Sequence, residues 1–412
     1  FPGLSASWKL SSEGFASGMG FSDLKLRVGW GRQGNPGIPP YKSLLTFNPG
    51  TGSTYPWGDV PQGGVSANSN PNPDLKWEQT DQFNFGLDFG LWSNRLAGTA
   101  EYYVKNTSDL IEFVQAPAPS PVSQTLANVG KLKNTGFELT LDALAASSPS
   151  FTWRAGLTFA APTSKVVSLG GASFIRSGVV SGQGQSDQWS QRIMPGQPLG
   201  TFFGPVFLGI DAAGKQLFRC ITASTTCVNG QTTAPAAEDY AVIGNANPDF
   251  TFGLRSSMTW SKIDVSFLIR GAVGGDVFNN TALVYSTKGN ALQDKNFLAS
   301  ALPQNDATGL HEPAIYSSRW VESASYVRLQ NLTITYTLDI PALRRTARNM
   351  QLYASMDNLF TISGYSGLDP EVSNLSTDPN NLSPDAGLAA RGIDYLSYPR
   401  ARTVTGGLRI SF

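Results

Sequence analysis

The sequence predicts an all-β chain, a transmembrane antiparallel β-barrel wall with about eleven strands present, long extracellular loops and short periplasmic turns. Three observations predict it. Apolar and polar side chains take turns along runs that reach or exceed the roughly 9 to 11 residues a tilted strand needs to cross a bilayer, against about 5 or 6 in an ordinary strand. Only 15% of residues are charged and 41% are hydrophobic, where soluble domains carry about 25% charge. No run approaches the roughly 18 consecutive apolar residues of a membrane helix, so a crossing requires a closed sheet in which each backbone group finds a partner.

The first run, Leu4 to Leu10, is followed by a Gly/Ser turn and by Leu24, Leu26, Val28 and Trp30 alternating with Lys25, Arg27 and Gly29. Two strands are expected there. From Gly31 to Pro73 the chain is rich in Gly, Pro and Asn, too long for a routine connection, and is expected to be disordered or a working surface loop. The clearest hairpin comes next. Trp77, Phe83, Phe85, Leu87 and Phe89 share one parity against Glu78, Thr80, Gln82, Asn84 and Asp88, and the pattern restarts after Trp92-Ser93-Asn94-Arg95 with Leu96, Ala100, Tyr102 and Val104. Taken alone, that stretch also fits a long hairpin of a soluble sandwich.

A second hairpin sets Phe137, Leu139 and Leu141 beside Trp153, Ala155, Leu157 and Phe159 across an Ala/Ser turn. A third sets Phe252, Leu254, Met258 and Trp260 beside Ile263, Val265, Phe267 and Ile269 across Ser261-Lys262. In the strand from about 322 to 340 the apolar parity changes phase near Gln330-Asn331, which a bulge explains. Leu352, Ala354 and Met356 mark the next strand, and Val404, Leu408, Ile410 and Phe412 the last. Short turns at 91–95, 145–150, 261–262 and about 339–348 alternate with long connections at 31–76, 106–131, 161–249, 274–321 and 361–399. That alternation holds only if Leu199 to Ile210 is an extracellular excursion rather than a crossing, unless two further crossings are hidden nearby.

These residues resemble a known family, the TonB-dependent outer-membrane transporters of the SusC/RagA type. NPDLKWEQTDQFNFGLDFGLWSNRLAGTAEYYVKNTSDLI is similar to that family's hairpin motif almost throughout. FPGLSASWKL, SDLKLRVGWGRQGN, NVGKLKNTGFELTL, GQPLGTFFG, IGNANPDFTFGL, YVRLQNLTITYTL, DNLFTISGYSGLDPEV and GIDYLSYPRARTVTGGLRISF also match, in family order from residue 1 to 412. The resemblance implies the C-terminal part of a 22-stranded barrel in the bacterial outer membrane, with the plug domain and TonB box absent from this chain. It further implies a SusD-like surface lipoprotein as partner, the TonB complex acting through the missing N-terminal part, and glycan or peptide ligands. The barrel assembly machinery would read the terminal aromatic Phe412. Where relatives often carry an Asp-rich calcium-loop-like segment, DAAGKQLFRCITASTTC lacks alternating carboxylates, so no calcium site is expected. Phe1 in place of an initiator methionine suggests a piece of a longer exported chain, or else a mature N-terminus.

No catalytic constellation, metal site or cofactor motif is expected. The single histidine, His311, reads as a loop residue. Lys plus Arg equals Asp plus Glu at 30 each, which argues against nucleic acid. Candidate lumen-facing residues are Glu78, Asp88, Glu101, Asp142, Arg154, Arg255, Asp264 and Arg270, all on the polar parity; a hydrated lumen needs polar walls whatever passes through it. Tyr55, Trp57 and Trp189 fall in outer loops, where aromatic faces either stack on sugar rings or pack within the loop. Trp77, Trp92, Trp153, Trp260 and Tyr336 sit where an interfacial aromatic girdle would be. Cys220 and Cys227 lie in one polar loop, spaced for a small disulfide in an oxidising compartment. Function is therefore expected to be import across the outer membrane in contact with its lipid, the alternatives being a secreted β-rich binding protein or adhesin, or a passive porin.

Overall fold

A computed structural model describes all residues except 17, 39, 117, 118, 121, 123, 222–225, 294, 300–312, 342–348, 373–389 and 412. Phe412 and His311 lie outside the described residues. Eleven strands form one antiparallel sheet: β1 Gly3–Lys9, β2 Phe21–Asn35, β3 Glu78–Leu91, β4 Leu96–Gln115, β5 Gln124–Ser147, β6 Phe151–Leu169, β7 Phe250–Trp260, β8 Ile263–Val273, β9 Tyr326–Leu338, β10 Asn349–Ser363 and β11 Thr403–Ser411. They lie side by side in chain order. Among the described residues β1 and β11 are the two edges.

The register carries the apolar parity across the whole sheet, because residues directly opposite each other in a ladder point to the same face. Leu87, Ala100, Leu139, Phe159, Phe252, Gly271, Val327 and Ile362 form one continuous row. Near the short turns a second row runs through Phe151, Trp260, Ile263, Tyr336, Leu352 and Leu408. These side chains have no second layer to pack against. Phe85 is 49% exposed, Trp260 65% and Leu352 53%, and Phe83, Leu139, Leu157 and Phe267 are likewise unburied. A face this greasy and this open is suited to lipid, since water would drive it to aggregate.

The turns obey the expected asymmetry. Strands β1, β3, β5, β7 and β9 finish at one end of the sheet, where the tight turns 92–95, 148–150 and 261–262 lie, and β2, β4, β6, β8 and β10 finish at the other, which carries the long connections 36–77, 170–249, 274–325 and 364–402 and, as the one short exception, 116–123. Short connections mark the periplasmic end and long ones the outer end. At Trp92, Ser93 and Asn94 three consecutive residues take φ of 53°, 57° and 61°, and Ser22 of the neighbouring strand accepts the Asn94 N–H at 3.1 Å. The phase change in β9 is a bulge. Leu268 faces Asn331 and Ile269 faces Leu329, which leaves Gln330 unpaired.

Some boundaries differ from the sequence expectation, for one physical reason. Strands β4, β5 and β6 run on past the apolar belt, so the connection expected at 106–131 is only 116–123 and β6 continues to Leu169. Alternation of apolar side chains fades where a strand leaves lipid, although its ladder does not. The stretch expected to be disordered or a working loop holds a hairpin, Thr46–Trp57 with Val60–Ser69. Leu199–Ile210 does not cross: Thr201–Gly204 and Phe207–Ile210 belong to two separate small sheets on the outer side.

The chain's main dry core sits in the outer connections, not in the wall. Phe202, Phe278, Leu283, Tyr316, Trp320 and Ile393 pack together, with Phe202 and Phe278 fully buried. The rings of Phe278 and Tyr316 meet edge-on at 4.9 Å, and the Tyr316 hydroxyl donates to the Ser190 carbonyl at 2.6 Å. A parallel pairing of Phe278 with Ile393 and of Asn279 with Asp394 ties two of these connections together.

Candidate functional site

The eight polar-parity candidates all stand on the face opposite the apolar rows. One polar row runs Lys25, Asp88, Thr99, Thr140, Thr158, Gly253, Arg270 and Arg328. Asp88 accepts both Nε and Nη2 of Arg27 at 2.9 Å, the fork-to-carboxylate geometry, and Glu101 meets the same guanidinium at 3.5 Å. To do so Arg27 lies over Gly86, where a Cβ would come within 2.8 Å of its Nη2. Glu78 accepts from Asn35 Nδ2 at 3.0 Å and the Ile111 N–H at 3.1 Å. Asp142 contacts Arg255, and Asp264 accepts from the Thr259 hydroxyl at 2.6 Å. Arg154 has no ion pair among the described residues. It lines a cleft of about 610 Å³ on this face together with Asp142, Arg255, Ser257 and Asn331.

Arg270 belongs to the densest cluster. Its Nε donates to Gln330, the bulged residue, at 2.8 Å, and its Nη1 donates to Glu371 at 2.8 Å. The bulge thus turns an unpaired side chain toward the polar face. Directly opposite Arg270 on β9 stands Arg328, whose side chain is 1% exposed and donates to Asp369 at 2.6 Å. Arg328 and Arg400 each lie 3.4 Å from Glu371. Two facing guanidinia are held by two carboxylates from the connection after β10, which pins that connection across the polar face. Periodicity reasoning missed Arg328, Asp369 and Glu371. Arg328 sits before the phase change, and the carboxylates lie in a connection with no period to read.

The outer candidates are not brought together. Tyr55 and Trp57 are exposed on the 46–57 strand, opposite Gln62 and Val60. Trp189 lies in the four-stranded outer sheet, its indole donating to Asp187 at 3.3 Å. Cys220 and Cys227 are disulfide-bonded, with Cα atoms 5.9 Å apart. Trp77, Trp92, Trp153, Trp260 and Tyr336 are all well exposed, as side chains facing an interface are. Burial is the main influence on acid–base groups in the outer body. It raises the carboxyl of Asp276 and pushes the Tyr316 and Tyr365 hydroxyls up; Tyr365 also donates to Asp394 at 2.6 Å. Among the described residues no three His, Cys, Asp or Glu side chains gather as metal ligands would.

This geometry matches known proteins. Residues 1–359 match the family described as TonB dependent receptor-like, beta-barrel. The chain is 32% identical to TonB-dependent receptor P3 of Formosa agariphila over its whole length and 42% of that protein. It is 30% identical to TonB-dependent receptor SusC of Bacteroides thetaiotaomicron, covering 40% of it. The chain therefore spans about two fifths of the length of these relatives. Its fold superposes on the RagAB peptide importer in the closed-closed state with a TM-score of 0.79 at 24% identity, covering all of this chain and 43% of that one. Sheet order, lipid-suited face, turn asymmetry and sequence agree: the chain belongs to the TonB-dependent receptor β-barrel family, and its eleven strands are outer-membrane barrel wall.

Proposed function

We propose that this chain is the barrel portion of a TonB-dependent importer that brings glycans or peptides across the outer membrane with a SusD-like surface lipoprotein. The observation that carries it is the polar face, where part-exposed ion pairs such as Arg27 with Asp88 and Arg270 with Glu371 make a wall suited to a water-filled passage, opposite a face suited to lipid. The likeness to the RagAB peptide importer supports peptide as one class of cargo, and the glycan alternative and the lipoprotein partner follow from the family resemblance of the sequence motifs. In this reading the eight polar-parity residues line the passage and contact whatever fills it. Tyr55, Trp57 and Trp189 contribute stacking faces for sugar rings, and Phe412 is the signal read during barrel assembly.

Deleting the complete receptor gene should abolish growth on one class of polymer, glycan or peptide, while leaving growth on the monomer intact. Collapsing the proton-motive force should stop uptake of that polymer by intact cells. Uptake that continues without a TonB complex would reject active import. A passive pore built from copies of this chain is disfavoured by direction: β1 and β11 both run from the outer end to the periplasmic end, so edges of two copies would meet parallel, not antiparallel.

A further inference from the structure

Two arginines face each other on the outer sheet with too little negative charge around them. The sheet consists of strands Ile175–Val179, Trp189–Ile193, Thr201–Gly204 and Ala241–Asn245. Arg192 lies directly opposite Arg176, so both side chains leave from one face. Facing like charges in a ladder repel. At the other facing pair of arginines among the described residues, Arg270 opposite Arg328, two carboxylates fold in to neutralise the repulsion. Here, among the described residues, the one carboxylate paired with either arginine is Asp187, which sits 3.5 Å from Arg176 on a side chain 80% exposed.

Arg192 is nonetheless held firmly in place. Its guanidinium carbon lies 4.1 Å from the ring centre of Phe174 and 4.0 Å from that of Phe203, so the two rings occupy the faces of the guanidinium and leave its N–H edge for hydrogen bonding. Among the described residues nothing accepts a hydrogen bond from that edge. The ring of Tyr240 lies 6.3 Å from that of Phe203, and its hydroxyl, close enough to Arg192 for each to feel the other's charge, also has no hydrogen-bond partner among the described residues. Burial and then the like charge of Arg176 pull the Arg192 guanidinium down, as expected for a cation lacking its counter-ion.

We propose that this face is a binding subsite for a carboxylate carried by an incoming solute, with the Arg192 fork as its bidentate donor and Arg176 and the Tyr240 hydroxyl beside it. A planar two-oxygen anion matches the fork, and its charge supplies what the facing arginines lack. As a step toward the lumen this rests on the import reading; as binding it does not.

The test is equilibrium titration of the complete receptor, purified in detergent, with trigalacturonate and neutral galactotriose, and with acetylated, amidated tri-glutamate and tri-glutamine peptides. At least one acidic probe should bind tenfold or more tightly than its neutral counterpart, and whichever it is identifies a saccharide or a peptide as the source of the carboxylate. Arg192→Gln should erase the preference. Arg176→Gln, at an exposed position that tolerates change, should reduce it several-fold, which keeps the test decisive if Arg192→Gln fails to assemble. Equal binding of acidic and neutral probes by the unaltered receptor overturns the proposal, as does a preference that survives both substitutions. No energised membrane is involved, so a failure of active import would leave this result untouched, and the reverse.

Discussion

Arg328 is a fully buried cation in a chain whose charges mostly stand in water. Its side chain is 1% exposed, with Asp369 at 2.6 Å, Asn358 at 3.3 Å and one nitrogen, Nε, without a partner. A buried ion pair adds little net stability over an apolar pair, but removing one member strands the other. Arg328→Ala in the complete protein is therefore expected to cost about 3 to 5 kcal/mol, read as a lowered unfolding midpoint in detergent. A shift worth less than about 1 kcal/mol, the value of an exposed pair, would show that water reaches Asp369. Arg255, exposed in its contact with Asp142, makes the natural contrast, and its loss should fall in that smaller range. Parity in the sequence keeps Arg255 away from lipid, whereas Arg328 joins the same face only through the ladder register opposite Arg270. What it cannot reveal is which of them is dry, because that depends on the connection after β10 folding back over the wall.

At the scale of strands, most of the wall was legible, since a two-residue period sustained across neighbours leaves one choice of register. The hairpins around 92–95 and 261–262 and the bulge near Gln330 all came from parity. Parity fell silent for the outer sheets. Apart from the hairpin of Thr46–Trp57 and Val60–Ser69, their strands are two to five residues long, and the core they bury draws on Phe202, Phe278, Tyr316 and Ile393, scattered along nearly half the chain. Glycines within the wall have a role that composition also hides: Tyr103, Phe252 and Tyr353 each lay a ring over the glycine opposite, Gly136, Gly271 and Gly407. At Gly271 an added Cβ would meet the Tyr326 carbonyl oxygen at 2.6 Å as well as the Phe252 ring. The carbonyl is part of a ladder and cannot swing away. Gly271→Ala should then destabilise the wall by about 1 to 3 kcal/mol, whereas Gly31→Ala, where an added Cβ meets nothing within 4 Å, should be nearly silent. Equal unfolding midpoints for the two variants would refute this account of the ladder.

For the molecule as a whole, eleven is an odd number with a mechanical meaning. Strands alternate in direction, so both edges of the sheet descend, and an antiparallel neighbour at either edge must ascend. Closure consequently takes an odd number of additional strands, and neither the chain alone nor two copies of it meets that condition. Reconstituted by itself into planar bilayers, the 412-residue chain should produce no uniform conductance steps. Steps of one reproducible size would mean that the edges find partners in some other way.

The separation of the main apolar core from the wall reaches further. Because the outer body encloses its own oil while the wall borrows oil from its surroundings, the two halves of the molecule answer to different solvents. Swapping lipid for a poor detergent should loosen the strands yet spare the cap above them. Thickening or thinning the bilayer should likewise be felt by the staves and hardly at all by the lid they carry.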